Sequence, residues 1–399
     1  MSLEKTVSAE RLHISFFGKR NAGKSSLVNS VTGQSLSVVS DVQGTTTDPV
    51  KKAMELLPLG PVVIIDTPGF DDVGELGELR VQKTREILAK TDIAILVAQA
   101  GKSLDKEELD FIKILKEKKI PYIVAYNKAD LTKNVPKLNE NEILVSATNK
   151  TNINKLKDLL GNLAKSRQNN KVLLGDLIEY GDIIVLVTPI DESAPKGRLI
   201  LPQQQTIREI LDNKCSVVIC QVDELSSTLD SLMKKPKMVI TDSQAFGKVS
   251  KIVPDSIPLT SFSILFARYK GDLKAQVQGA SMLSKLCSGD KILISEGCTH
   301  HRQCGDIGTV KMPAWIKNFS GADISFDFTS GGEFPENLSQ YKLVIHCGAC
   351  MLNEAEMKHR ISLAEKAKVP ITNYGVAIAH MNGILKRSLE LFPEIMGLL

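Results

Sequence analysis

Residues Gly18-Lys19-Arg20-Asn21-Ala22-Gly23-Lys24-Ser25 spell G-x-x-x-x-G-K-S, the pattern that most restricts what this chain can fold into. The apolar run Leu12–Phe17 precedes it, and Lys24–Val31, which reads as a helix, follows. A strand, a glycine-rich loop and a helix in that order demand a layered α/β domain. The glycines let the backbone wrap closely, so that successive N–H groups and the helix N-terminus face an anionic phosphate. Gly18 and Gly23 shape the loop, Lys24 brings positive charge to the β- and γ-phosphates, and Ser25, followed by Ser26, can offer a hydroxyl to Mg²⁺.

The segment behind the loop carries the same alternation. Strands are predicted at Val62–Asp66, Ile93–Val97, Tyr122–Tyr126 and Ile143–Val145, with helices at Leu76–Lys90, Lys106–Lys118 and Ile153–Leu163. This predicts a mostly parallel sheet in a domain spanning 1–168, with Pro58–Pro61 as a hairpin turn. Short motifs fall at the strand ends. Asp66-Thr67-Pro68-Gly69 offers a carboxylate to the Mg²⁺ shell and the Gly69 N–H to a γ-phosphate. Thr45 and Thr46, in Gly44-Thr45-Thr46-Thr47-Asp48, supply hydroxyls for Mg²⁺ and the γ-phosphate, so Lys24, Thr46 and Gly69 are the expected catalytic set. Asn127-Lys128-Ala129-Asp130 places a carboxylate that can accept from both N1 and N2 of guanine, a pair adenine does not offer. Ser146-Ala147 can support that base.

Together these motifs resemble the small GTPases of the TrmE/Era class over residues 11–165, which implies binding and hydrolysis of GTP. Phe70 occupies the place where Ras-like proteins put a water-orienting glutamine. Asn21 stands where potassium-activated relatives of this class carry an asparagine ligand, and the expectation is a K⁺ held partly by Asn21. Asp71 and Asp72 read as a solvated switch segment.

The remaining chain is long enough for two more α/β domains. Of 399 residues, 43% are hydrophobic and 24% charged, as in an ordinary globular protein. A middle domain is expected over 169–270 and a third over 271–399. The net charge of +4 calls for neither nucleic acid nor an acidic membrane, and no apolar run reaches membrane-spanning length. No internal repeat is sharp enough to use, and the middle segment shows no catalytic constellation. Seven cysteines in a chain without a secretory pattern point to the cytoplasm and to metal binding rather than disulfides.

Five of those cysteines follow residue 280. Cys298-Thr299-His300 succeeds the predicted strand Lys291–Ser295, and Cys347-Gly348-Ala349-Cys350 succeeds Leu343–His346, so both groups should meet at one sheet edge. Zinc and an iron–sulfur cluster both fit Cys298, Cys347 and Cys350. Alternation in extended chain puts His300 on the side of Cys298 and turns His346 away from Cys347, which favours His300 as fourth ligand. Cys304 is a spare ligand, and Cys215, Cys220 and Cys287 read as core.

A GTPase segment joined to C-x-H and H-C-x-x-C resembles the [FeFe]-hydrogenase maturation GTPases, the HydF family. Ala194–Pro202 and Thr241–Phe246 are similar to that family's central domain. The resemblance implies a scaffold carrying a [4Fe–4S] cluster on Cys298, Cys347 and Cys350, with the fourth ligand open between His300, His346 and an outside group. It further implies a homodimer, two radical-SAM partners and delivery of a diiron precursor to the apo-[FeFe]-hydrogenase. The contrasting expectation is a regulatory or RNA-associated GTPase with a structural zinc site.

Overall fold

A computed structural model of the chain describes residues 10–34, 50–69, 84–132, 138–168, 172–189, 199–297, 306–349 and 351–397. Thr45, Thr46, Phe70, Asp71, Asp72, residues 194–198, Cys298, His300, Cys304 and Cys350 lie outside the described residues. The chain forms two compact units, 1–171 and 172–399.

The first unit runs β1 (Leu12–Phe17), α1 (Lys24–Thr32), β2 (Val50–Leu56), β3 (Gly60–Asp66), α2 (84–89), β4 (Ile93–Gln99), α3 (Lys106–Glu117), β5 (Tyr122–Asn127), β6 (Glu142–Leu144) and α4 (Ile153–Gln168). Among the described residues its strands form one sheet in the order β2-β3-β1-β4-β5-β6. All pairings are parallel except the β2–β3 hairpin, closed across residues 57–59. β4 is buried along nearly its whole length because helices cover both faces of the sheet. Ile93, Ile95 and Val97 belong to one core with α1 and α4, whereas Ala94, Leu96 and Ala98 belong to the other with α2 and α3. Parallel pairing brings the ends of β1, β3, β4 and β5 to the same edge. β2, largely exposed and lacking apolar alternation, with Lys51 and Lys52 adjacent, escaped the sequence reading.

The second unit contains two sheets. The first comprises β7 (Ile183–Val187), α5 (Leu201–Asp212), β8 (Ser216–Cys220), α6 (Leu225–Ser231), β9 (Met238–Thr241), α7 (Phe246–Ile252), β10 (Leu259–Ser261) and α8 (Phe262–Lys270). After α9 (Leu273–Ala280) come β11 (Lys291–Glu296), α10 (Met312–Ser320), β12 (Ser325–Ser330), β13 (Leu343–His346), α11 (Glu354–Lys366), β14 (Ile371–Asn373) and α12 (Tyr374–Met381). One continuous core draws on both: Phe246, Leu265 and Leu273 pack in the same cluster as Val376, Leu389 and Phe392.

The two sheets share a topology that no repeat in the sequence is sharp enough to reveal. Their orders are β8-β7-β9-β10 and β12-β11-β13-β14, all parallel. The ladders superimpose in register: Val187 faces Thr241 as Ser295 faces His346, and Leu259 faces Val239 as Ile371 faces Val344. The amides of Val239 and Val344 donate at 2.9 Å to the carbonyls of Pro258 and Pro370. Buried Thr260 and Thr372, at matching positions, both leave a hydroxyl without a hydrogen bond among the described residues. The strands β10 and β14 that complete the match are three residues each, and β10 is the one that sequence periodicity missed.

Candidate functional site: a phosphate loop and a cysteine edge

The phosphate loop is built at the end of β1. Gly18 has φ +148°, and a Cβ there would stand 2.3 Å from the Val97 carbonyl oxygen of β4. Gly23 has φ +86°, and a Cβ there would stand 2.3 Å from Asn127 Nδ2. Only glycine satisfies both the torsion and the close approach. Asn21 is the loop's non-glycine left-handed residue, at φ 57°, and is exposed. Lys24 opens α1 and is buried; its Nζ donates to the carbonyls of Gly18 at 2.9 Å and Lys19 at 2.7 Å. The ammonium is thus held in the concave side of the loop. Ser25 Oγ donates to Asp66 Oδ2 at 2.7 Å, so two hard oxygen ligands from separate motifs converge as a Mg²⁺ site requires. Ser26 follows, half-buried on α1.

On the base side, Asn127 acts as a strut. Its Nδ2 donates to the carbonyls of Ala22 at 3.1 Å and Gly23 at 3.3 Å, and its Oδ1 accepts from the Ala147 amide at 3.1 Å. One side chain therefore ties the phosphate loop to the Ser146 loop. Ser146 Oγ donates to Asp130 Oδ1 at 2.5 Å, which orients the exposed Asp130 carboxylate. Lys128, at φ 64°, turns the chain between them. Thr67 Oγ1 donates to the Phe16 carbonyl at 2.7 Å, fixing the segment that leads to Gly69 beside the end of β1.

Sequence reasoning missed a clamp on this loop. Lys19 Nζ meets Asp105 Oδ2 at 2.5 Å and Glu107 Oε2 at 2.7 Å, at the start of α3. Burial lowers the Lys19 ammonium's pKa, but the hydrogen bonds to Asp105 and Glu107 outweigh it and leave it above the usual lysine value. The Lys19 hydrogen bond in turn holds Asp105 below the usual carboxylate range. Asp105 and Glu108 also form a reciprocal capping box, legible as Asp105-Lys106-Glu107-Glu108.

The cysteine edge lies in the second unit. β12 leaves β11 to one side and β14 leaves β13 to the other, so the β11–β13 junction is the switch point where open α/β sheets form their crevices. The Cys347 amide donates to the Ser295 carbonyl at 2.9 Å, and the Gly297 amide donates to Cys347 Sγ at 3.0 Å. Cys347 thus faces the residue that immediately precedes Cys298. Ala349 supplies the left-handed torsion of the turn, at φ 53°. Cys287, read as core, is exposed, whereas Cys215 and Cys220 are buried. Glu296 is buried and accepts from Tyr374 Oη at 3.1 Å. Burial, then the charge of Glu296, keeps the Tyr374 phenol well above its ordinary pKa.

His346 is fully buried, and both ring nitrogens are engaged. Nδ1 lies 2.9 Å from the Cys347 carbonyl oxygen, and Nε2 lies 2.9 Å from Arg360 Nη1. A guanidinium only donates, so Nε2 accepts and Nδ1 carries the proton. Among the described residues no three His, Cys, Asp or Glu side chains converge on one point. Cys298, Cys350 and His300 are outside those residues. The thiol of Cys347, aimed at the chain entering Cys298, fits a soft metal or cluster shared by the two loops.

The strand order, the phosphate loop and the guanine-side motifs define the first unit as a TrmE/Era-like P-loop GTPase domain. Residues 13–128 match the family model of the 50S ribosome-binding GTPase. Behind it, residues 173–271 match the hydrogen maturase F dimerization domain and residues 274–391 the hydrogen maturase F tetramerization domain. The chain belongs to the hydrogen maturase F family.

Its curated relatives include the tRNA modification GTPase MnmE of Thermoanaerobacter sp. (strain X514), 30% identical over 239 residues, covering 57% of this chain and 48% of the relative. MnmE of Helicobacter acinonychis (strain Sheeba) is 40% identical over 134 residues, covering 33% of this chain and 29% of the relative. The chain spans about half or less of the length of these relatives. Among solved structures, Era of Aquifex aeolicus bound to GDP and AlF4⁻ is 18% identical, with a TM-score of 0.35, covering 52% of this chain and 91% of Era.

Proposed function

We propose that this protein is a GTP-hydrolysing scaffold that holds a [4Fe–4S] cluster and carries the diiron precursor of the hydrogenase active site to the apo-[FeFe]-hydrogenase. The observation that carries the reading is the convergence at the switch point: Cys347 Sγ accepts from Gly297, one residue before Cys298, on adjacent strands. Cys298, Cys347 and Cys350 would hold the cluster, which supplies an iron with an exchangeable position, open to His300 or an outside ligand. His346 is committed to Arg360 and to the Cys347 carbonyl.

In the GTPase unit, Lys24 neutralises charge on the β- and γ-phosphates, and Gly69 offers its N–H to the γ-phosphate. Ser25, Asp66 and Thr46 would hold Mg²⁺, and a water attacks the γ-phosphorus as its bond to the β–γ bridging oxygen breaks, releasing GDP and inorganic phosphate. With Phe70 in place of a glutamine, a K⁺ held partly by Asn21 would supply the missing positive charge, so hydrolysis runs faster in K⁺ than in Na⁺. Gain and loss of the γ-phosphate would order and release the segments around Thr46 and Gly69, a switch for partner contacts. The partners are a second copy of the chain, two radical-SAM maturation proteins and the apo-hydrogenase, in the cytoplasm.

Anaerobic reconstitution tests the cluster: brown protein with about four irons per chain supports it, and a colourless protein with tightly bound zinc overturns it in favour of a structural zinc site. A Lys24→Ala variant tests the coupling. It should lose GTP-dependent hydrogenase maturation, and full maturation by that variant refutes the switch.

A further inference from the structure

The duplicated sheets give an internal control for the cysteine edge. At the last ladder position of the middle sheet, Val187 faces Thr241, and α7 buries only Phe246 and Val249. At the same position of the other sheet, Ser295 faces His346, and α11 buries Arg360, which is 1% exposed. Arg360 Nη1 donates to Ser295 Oγ at 3.1 Å and to His346 Nε2 at 2.9 Å. Nη2 donates to the Gly331 carbonyl at 2.7 Å and to Glu356 Oε1 at 2.9 Å. The four Nη protons are thereby used, and the guanidinium lies 5.0 Å from the Phe334 ring centre.

Burying a guanidinium is costly, and its pairing offsets that cost without making it a source of stability. Among the described residues, the middle sheet has the same topology without a buried arginine. Among the described residues the network appears in the copy that leads into Cys347 and not in the other, and it engages His346, the residue just before Cys347.

We propose that Arg360 and His346 are positioning residues for the cluster thiolates. Arg360 fixes the His346 ring through Nε2, and the ring's Nδ1–H grips the Cys347 carbonyl. The grip turns the Cys347 thiol toward Gly297 and the Cys298 loop. The inference rests on the cluster reading and adds residues that never touch the cluster. Outer groups of this kind set ligand orientation, and their loss typically weakens metal holding by about 10–100-fold.

The test compares His346→Asn with His346→Phe in the reconstituted full chain, following cluster loss to an iron chelator. The asparagine Nδ2–H can still reach the Cys347 carbonyl; phenylalanine fills the space and donates nothing. His346→Phe should lose its cluster about 10–100-fold faster than wild type, and His346→Asn should stay close to wild type. Wild-type behaviour of His346→Phe reduces the residue to packing and overturns the proposal. So does equal failure of both variants with loss of a nitrogen coupling from the reduced cluster's spectrum, which would make His346 a ligand. Arg360→Met combined with His346→Phe should lose the cluster no faster than His346→Phe alone, because both act on one atom; additive losses refute the relay. Arg360→Lys guards against a folding failure of Arg360→Met, and GTP hydrolysis by the other unit confirms intact chain. If wild-type protein takes up no iron, the cluster reading falls by itself. The geometry is then read on the iron-free chain with isotope-labelled histidine, where a His346 ring protonated at Nε2 overturns the grip.

Discussion

Gly297, the residue before Cys298, packs closely against Leu352, two residues past Cys350. A Cβ on it would stand 2.7 Å from Leu352 Cγ and 3.1 and 3.2 Å from the two methyls. Leu352 cannot swing away easily: it is 4% exposed, its carbonyl accepts from buried Lys270 Nζ at 3.2 Å, and its amide donates to Ala349 at 3.1 Å. Gly297→Ala should therefore cost about 1–3 kcal/mol by overpacking. The strain falls on the Gly297 amide that donates to Cys347 Sγ and on the chain entering Cys298. Leu352→Ala by itself should cost about 2–5 kcal/mol through the cavity it leaves. In the double variant the new methyl enters that cavity, so the pair should be less destabilised than the sum by about 1–3 kcal/mol. Urea unfolding of the iron-free chain measures all four corners of the cycle, and iron per chain after reconstitution reports the site. Gly297→Ala should take up less iron, and the double variant should recover part of it. A cost near zero for Gly297→Ala, or strictly additive costs, would refute the close-approach reasoning.

Asp130→Asn should weaken GTP binding by about 1.5–3 kcal/mol and shift preference toward xanthosine triphosphate, because the amide presents a donor where guanine needs an acceptor; unchanged GTP affinity in nucleotide titrations refutes the assignment. Ile219, 42% exposed on the open edge strand β8, offers an apolar edge to a second copy. Ile219→Lys should shift sedimentation toward monomer, and an unaltered oligomer rules that edge out. Asp105→Asn keeps an N-cap on α3 but loses the ion pair to Lys19, an exposed contact worth about 0.2–1 kcal/mol. Because Asp105 titrates below its unfolded value, its contribution is present above the usual carboxylate range and lost as pH falls through its folded pKa. Chemical unfolding of variant and wild type should agree in acid and diverge toward neutrality; divergence that grows in acid contradicts the sign.

Much of the first unit was legible because its motifs are local. Gly18 to Ser25, Asp66 to Gly69 and Asn127 to Asp130 each occupy one strand end, and a parallel sheet leaves few ways to arrange those ends. The strand positions followed from apolar runs such as Ile93–Val97, continuous because both faces are covered. Lys19, Asp105 and Glu107 were not legible as a group, since their pairing spans 86 to 88 residues and depends on how α3 lies against the loop. Arg360 gave a faint signal: it shares a helical face with Met357, Ile361 and Ala364, where a charged residue is out of place.

The sequence by itself determined the GTPase domain and the motifs on which the proposed chemistry rests: the phosphate loop, the Asn127 to Asp130 motif and the C-x-H and H-C-x-x-C pairs. Those depend on residue type and short spacing, which the backbone reproduces wherever the element lands. Only the tertiary structure decided that the sheet behind the cysteines repeats the one before it, that Cys347 faces the chain entering Cys298, and that His346 is occupied by Arg360 and the Cys347 carbonyl. The contacts of Cys347 with Gly297 and of His346 with Arg360 join residues 50 and 14 positions apart, fixed by strand order and by the need to satisfy buried polar groups, and no local pattern encodes them.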